Sequence, residues 1–106
     1  MSDVLARLWA TIEARAGADP AGSHTAALLA KGRGKCAEKF GEEAVEAIVA
    51  AASGDAAGLT YEAADVLYHL QVMLVAAGVP WGAVLDELAR REGRSGIEEK
   101  ASRARS

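Results

Sequence analysis

Two groups of carboxylates stand out as residues whose type and spacing could do chemistry. The first is Glu42-Glu43-Ala44-Val45-Glu46. On a helix, Glu43 and Glu46 are three apart and share a face, and Glu42, four before Glu46, lies at the edge of the same stripe. Ala44, Val45, Ile48, Val49 and Ala52 form an apolar face beside it, so the acidic stripe is expected to border the core. Lys39 is three before Glu42 and four before Glu43, within reach of both. The second group is Glu62-Ala63-Ala64-Asp65. Between Ala56 and Leu85 these two are the only charged residues, and Leu59, Val66, Leu67, Leu70, Val72, Met73, Leu74 and Val75 surround them. A helix apolar nearly all round is usually buried. With Glu62 at zero on a helical wheel, Asp65, His69, Val72 and Met73 fall within about 80° of it. These carboxylates are in line with core residues and not on a polar back.

A buried ionised carboxylate is costly unless it is paired or bound to a metal. Glu43, Glu46, Glu62 and Asp65 together would repel one another unless cations gathered them or their pKa values rose. Lys39 is a single nearby base, and His69 is usually neutral. Oxygen ligands without a His/Cys set suit a hard divalent cation, Mg²⁺ or Mn²⁺. Such an ion keeps positions open for water and substrate phosphates, which points to phosphate chemistry. A solvated acidic face is the commoner meaning of helical spacing in Glu42, Glu43 and Glu46 taken alone. The apolar setting of Glu62 and Asp65, and a short turn that lets the two helices face each other, favour a site.

The elements that must position these groups all read as helix. Leu5, Leu8, Trp9 and Ile12 recur at helical spacing behind Asp3 as N-cap. Gly17 to Gly22, with Asp19-Pro20 inside, is a break. Ser23 or Thr25 can cap a short helix through Leu28 and Leu29, stopped at Gly32 or Gly34. A longer helix is expected from about Lys35 to Ala52, although Gly41 inside it costs about 1 kcal/mol relative to Ala. The next covers about Ala57 to Ala77 and stops at Gly78. Pro80 suits the first turn of a last helix, about Trp81 to Glu92, closed by Gly93. No segment shows a clear alternating strand pattern.

The chain has 106 residues, one domain's worth, and the whole of 1–106 is read as one all-α domain with a charged, flexible tail over 94–106. Its 12 basic and 15 acidic residues leave a net charge of −3, which argues against a nucleic-acid binder. Half the residues are apolar, but 25 are alanine and only 5% are aromatic, so each buries little area. A core of this kind is marginal at this length, and a homodimer with a helical bundle at its centre and sites near the subunit interface is expected. Cys36, the sole cysteine, allows no intrachain disulfide and no zinc cluster. No apolar run is long enough for a membrane span, and Asp3, Arg7 and Glu13 interrupt any signal-peptide pattern. The expectation is a cytoplasmic protein with no membrane or nucleic-acid partner.

Glu-Glu-x-x-Glu on one helix followed by Glu-x-x-Asp on the next resembles the all-α, MazG-like nucleoside triphosphate pyrophosphatases. The segments Ser23 to Leu29, Lys35, Lys39 to Glu46, Tyr61 to Leu70, Arg90-Arg91 and Arg94 to Lys100 are similar to one branch, the phosphoribosyl-ATP pyrophosphatases of histidine biosynthesis. The tail Gly93-Arg94-Ser95-Gly96-Ile97-Glu98-Glu99-Lys100 and the Ser23-x-Thr25-Ala26 segment separate this branch from house-cleaning relatives acting on other nucleotides. His24 departs from the pattern, where an aromatic residue, often Tyr, is expected. The resemblance implies a MazG-like bundle of about five helices. It implies Mg²⁺-dependent hydrolysis of phosphoribosyl-ATP to phosphoribosyl-AMP and pyrophosphate, the second step of the pathway. It implies Glu43, Glu46, Glu62 and Asp65 as metal ligands, with Glu42 behind them or orienting the water. It also lifts Arg94, Ser95 and Lys100 to substrate-binding residues.

Lys31, Arg33, Lys35 and Lys39 can receive the triphosphate or the ribose 5-phosphate, and Lys35 and Lys39 are the substrate-binding candidates among them. A solvated basic turn is the plainer reading of the cluster. Arg90 and Arg91 can clamp phosphate, but they also sit where a helix C-terminus favours cations. His69 reads more readily as a satisfied core histidine than as a base. Trp9, Tyr61, Tyr68 and Trp81 read as core or dimer contacts, and Cys36 as a small buried apolar residue. Two other readings stay open: a MazG-like pyrophosphatase for another nucleoside triphosphate, and a non-catalytic helical interaction module. A di-iron bundle needs Glu-x-x-His at inward positions, which this sequence lacks.

Overall fold

The computed structural model describes residues 3–93 together with Gly96, Lys100, Ala101 and Arg103. The described residues form no strand. Helix α1 is Val4–Arg15, α2 is His24–Ala30, α3 is Arg33–Ala52, α4 is Ala56–Ala77 and α5 is Trp81–Arg91, with a 3₁₀ turn at Pro20–Gly22 before α2. The all-α expectation and its five helices therefore hold.

The helix starts follow from capping chemistry. The Asp3 carboxylate accepts from the Ala6 N–H, Ser23 Oγ from the Ala26 N–H and Asp55 from the Gly58 N–H. Each satisfies one of the amides that a first helical turn leaves without a carbonyl partner. Two boundaries differ from expectation. α3 begins at Arg33 because Gly32, at φ 95°, turns the chain there, and Gly34 is inside the helix. Pro80 stands at the N-cap of α5 and not in its first turn. Among the described residues nothing packs against Gly41, since a Cβ there would meet open space.

The Ser53-Gly54-Asp55 turn folds α4 back along α3, and these two helices form the most extensive pairing in the molecule. The core is at one end of that hairpin. Ile12 of α1, Leu28 of α2, Cys36 of α3 and Val72 of α4 are buried together, with Leu8, Leu29, Tyr68, Val75 and Ala76 packed around them. Two polar ties hold the outer helices to α4. The Thr25 and Tyr68 hydroxyls share a short hydrogen bond, and Gln71 Nε2 donates to the Leu5 carbonyl at 3.0 Å. The left-handed cap at Gly78 ends α4, and α5 leaves at 114° to it. There Trp81 stacks on Trp9 at 6.0 Å between ring centroids.

The expected apolar face of α3 requires a correction. Ala44 is half-buried, but Val45, Ile48 and Val49 are 57%, 64% and 60% exposed, and Ala52 is exposed too. The face that meets α4 carries Cys36, Glu43, Ala47 and Ala50 instead. Wheel geometry gives the reason: these four lie within about 60° of one another, and Val45, Ile48, Val49 and Ala52 lie opposite them. α3 has two apolar faces, and the chain covers one. The shape agrees. The radius of gyration is 16.1 Å, against about 13 Å for a compact chain of this length.

Removing a buried contact should separate core from cap. Ile12→Ala is expected to lower the unfolding free energy by about 2–5 kcal/mol and Ser23→Ala by about 1 kcal/mol, read from urea denaturation.

Candidate active site

The α3–α4 pairing brings Glu43, Glu62 and Asp65 together. One carboxylate oxygen from each lies within 4.8 Å of the other two. Glu43 reaches the cluster because it stands on the face of α3 that meets α4, and it is only 8% exposed. Glu62 and Asp65 stand one turn apart on α4, both half-buried. Glu62 Oε2 is buried without a hydrogen-bond partner. A carboxylate oxygen in that position costs free energy until something positive or proton-bearing meets it.

Lys39 sits at the rim, its Nζ 3.4 Å from both Glu42 Oε2 and Glu43 Oε1. Hydrogen bonds to Glu42 and then Glu43 raise its pKa above the ordinary lysine value, so it stays charged. Glu42 is exposed and turned to this lysine. Glu46 is also exposed and stands outside the group of three. Of the four metal ligands implied by the resemblance, the structure therefore gathers three.

His69 lies one turn beyond Asp65 on α4, 5% exposed, with Nδ1 lacking a partner. Burial lowers its pKa, against the opposing pull of Glu43 and Asp65. It is a neutral imidazole behind the carboxylates, with Tyr68 edge-on to its ring at 4.8 Å. The expectation of a satisfied core histidine holds for its burial but not for its hydrogen bonding. The Thr25–Tyr68 tie beside it was not legible in the sequence, because 43 residues separate the two hydroxyls and no local spacing links them.

The remaining candidates are more peripheral. Lys35 is exposed and pairs with Glu38 at 3.3 Å. Lys100 is exposed, and Arg94 and Ser95 lie outside the described residues, as does most of the 94–106 tail. Arg90 and Arg91 both bond Glu87 within α5, at 2.6 and 2.8 Å, and pull its pKa down to about 2. That is the role of cations in a last helical turn. Cys36 is fully buried, as expected of a small apolar residue, and its Sγ also donates to the Leu28 carbonyl at 3.4 Å.

The fold and site define an all-helical protein with an acidic, oxygen-only cluster between two antiparallel helices, able to hold a metal ion. Residues 5–92 match the model of the phosphoribosyl-ATP pyrophosphohydrolase family, and the chain belongs to that family. It is 72% identical over 100 residues to the phosphoribosyl-ATP pyrophosphatase of Dinoroseobacter shibae, covering 94% of this chain and 98% of that one. To the protein of the same name from Rhodobacter capsulatus it is 68% identical, covering 93% and 96% of the two chains. To that of Rhizorhabdus wittichii it is 57% identical over 103 residues, covering 97% of each.

The cost of gathering the carboxylates can be read directly. In EDTA, Glu62→Gln is expected to unfold at a higher temperature than the unsubstituted chain, because it removes one charge from a crowded, partly dry site. Circular dichroism on both proteins measures this.

Proposed function

We propose that this chain hydrolyses phosphoribosyl-ATP to phosphoribosyl-AMP and pyrophosphate, the second step of histidine biosynthesis, with Mg²⁺ as cofactor, Mn²⁺ being able to replace it. The observation that carries this reading is the convergence of Glu43, Glu62 and Asp65 in a chain of this family. The residues fit the ion: every donor is a carboxylate oxygen, and Glu62 Oε2 has no hydrogen-bond partner among the described residues. Glu43, Glu62 and Asp65 would hold it, with Glu46, one turn further along α3, as the fourth ligand of this reading. When bound, a divalent cation shields phosphate oxygens and makes water easier to deprotonate.

The rest falls to the chain's own side chains. Lys39, charged and bridged to Glu42 and Glu43, attracts the triphosphate to the carboxylates of α3 and offsets its charge. Glu42, at the rim, orients the water. That water adds to phosphorus and gives up a proton to solvent, the P–O bond between the nucleotide and pyrophosphate halves breaks, and its electron pair goes to the departing phosphate oxygen. Neutral His69 backs the cluster without adding charge to it. Lys35, and by resemblance Arg94, Ser95 and Lys100, bind the substrate.

The exposed Val45, Ile48 and Val49 support a homodimer. An apolar stripe of this size on α3, in a chain with a small core, is what a second copy covers. A helical bundle at the dimer centre then places the carboxylates near the subunit interface. Among the described residues no single helix is long and apolar enough to cross a membrane, and the reading is of a cytoplasmic enzyme. Neither nucleic acid nor membrane is a partner in it.

Pyrophosphate release from phosphoribosyl-ATP tests the activity. It is expected with Mg²⁺, absent in EDTA, and reduced at least about a hundredfold in Glu62→Gln, which keeps its helical spectrum. Faster turnover of dCTP or dUTP in a substrate panel would sink the assignment. For the dimer, light scattering should give twice the chain mass at micromolar concentration, and Ile48→Asp should shift it towards a single chain. A monomeric mass for the unsubstituted protein would count against it.

A further inference from the structure

We propose that the cleft between α2 and the first half of α3 is the subsite for the single phosphate on the second ribose of the substrate. Lys31 and Lys35 are then the residues that select a phosphoribosylated nucleotide over ATP itself. This rests on the reading of the reaction given above and adds where each end of the substrate lies.

The cleft measures about 290 Å³. His24 forms its α2 wall, Lys31 lies at the turn, and Lys35, Glu38 and Lys39 line the α3 side, with Glu42 at the end next to the carboxylates. This volume is at the bottom of the range for small-molecule sites, so it suits a sugar phosphate and not a whole nucleotide. The cleft and the carboxylate cluster are continuous. Lys39 lines the one and lies 3.4 Å from Glu43 of the other.

The charges divide along that groove. Lys39 is committed to Glu42 and Glu43. Among the described residues Lys35 pairs with Glu38, an exposed partner one turn away, and exposed pairs of this kind contribute little. Lys31 has no ion pair among the described residues. Among the described residues, uncommitted positive charge therefore collects at the end away from the carboxylates. Lys35 and Glu43 are eight residues apart, about 12 Å along the helix axis.

The substrate has matching ends. Phosphoribosyl-ATP carries a triphosphate on one ribose and a lone phosphate on the other, on opposite sides of the base. The triphosphate belongs with the carboxylates and the ion they hold. The lone phosphate carries a charge of about −1.5 to −2 at neutral pH and needs side-chain cations of its own. Lys31 and Lys35 supply charge-assisted hydrogen bonds to it. ATP has no group to place there. Because this end takes no part in bond breaking, its contribution appears in KM and not in kcat.

The test is steady-state kinetics on the full chain and on Lys31→Ala/Lys35→Ala, both surface positions. KM for phosphoribosyl-ATP is expected to rise about ten- to a hundredfold with kcat little changed. Ribose 5-phosphate should inhibit the unsubstituted enzyme competitively and the variant much less. ATP as a competitive inhibitor should keep its inhibition constant. Lys31→Arg/Lys35→Arg should recover most of the lost affinity. An unchanged KM, a fall in kcat alone, or equal weakening of ribose 5-phosphate and ATP would overturn the assignment. An unsubstituted chain that releases no pyrophosphate from phosphoribosyl-ATP would sink the proposed function itself, and this subsite with it.

Discussion

The constraint on which the molecule turns is electrostatic. Three acidic groups from two facing helices share a space within 4.8 Å, and one of their oxygens is buried without a partner. In a partly dry environment such a gathering opposes folding, because each charge loses water and meets its own sign. The helix pair must hold them against that repulsion. It does so with its own length: α3 and α4 have 20 and 22 residues and pack against each other over the hairpin. The face of α3 turned to α4 carries Cys36, Ala47 and Ala50 around Glu43, so the backbones approach closely enough for the acids to meet.

Everything outside the hairpin stabilises one end of it. α1 and α2 cover the end with Cys36 and Val72, tied to α4 through Gln71 and Tyr68 and to α3 through the Cys36 bond to the Leu28 carbonyl. Gln71 is a costly choice for a fully buried position, and its Oε1 has no hydrogen-bond partner among the described residues. The bond to the Leu5 carbonyl sets the position of α1 against α4. Among the described residues the opposite end of the hairpin, beyond Glu43, has no such cover, and Val45, Ile48 and Val49 are left facing outward.

Much of this was legible in the residues because it depends on local rules. Asp3, Ser23 and Asp55 cap where small polar residues precede helical runs, and Gly78 ends α4 as a glycine in the left-handed region can. The lack of charge around Glu62 and Asp65 correctly marked them as facing inward. Other features depend on where a second helix lies, which a helical wheel cannot say. The wheel found an apolar stripe on α3 and placed it against the core, but α4 packs on the smaller, acidic side. Glu46 has the right spacing yet stands exposed, because sharing a helical face with Glu43 does not place it in the narrow line where α4 meets α3. The pairing of Thr25 with Tyr68 left no trace in local spacing.

Both tryptophans of the chain are in one stacked pair, Trp9 on Trp81, which joins the first helix to the last. Indole emission therefore reports on the docking of the chain's two outer helices and is blind to the acidic end of the hairpin. A titration followed by fluorescence could leave that signal flat while the carboxylates rearrange. Conversely, α5 could swing away on the Gly78–Pro80 bend and shift the signal with the acidic cluster intact. Spectroscopy of this protein resolves one half of the molecule, and tyrosine or backbone probes must cover the other.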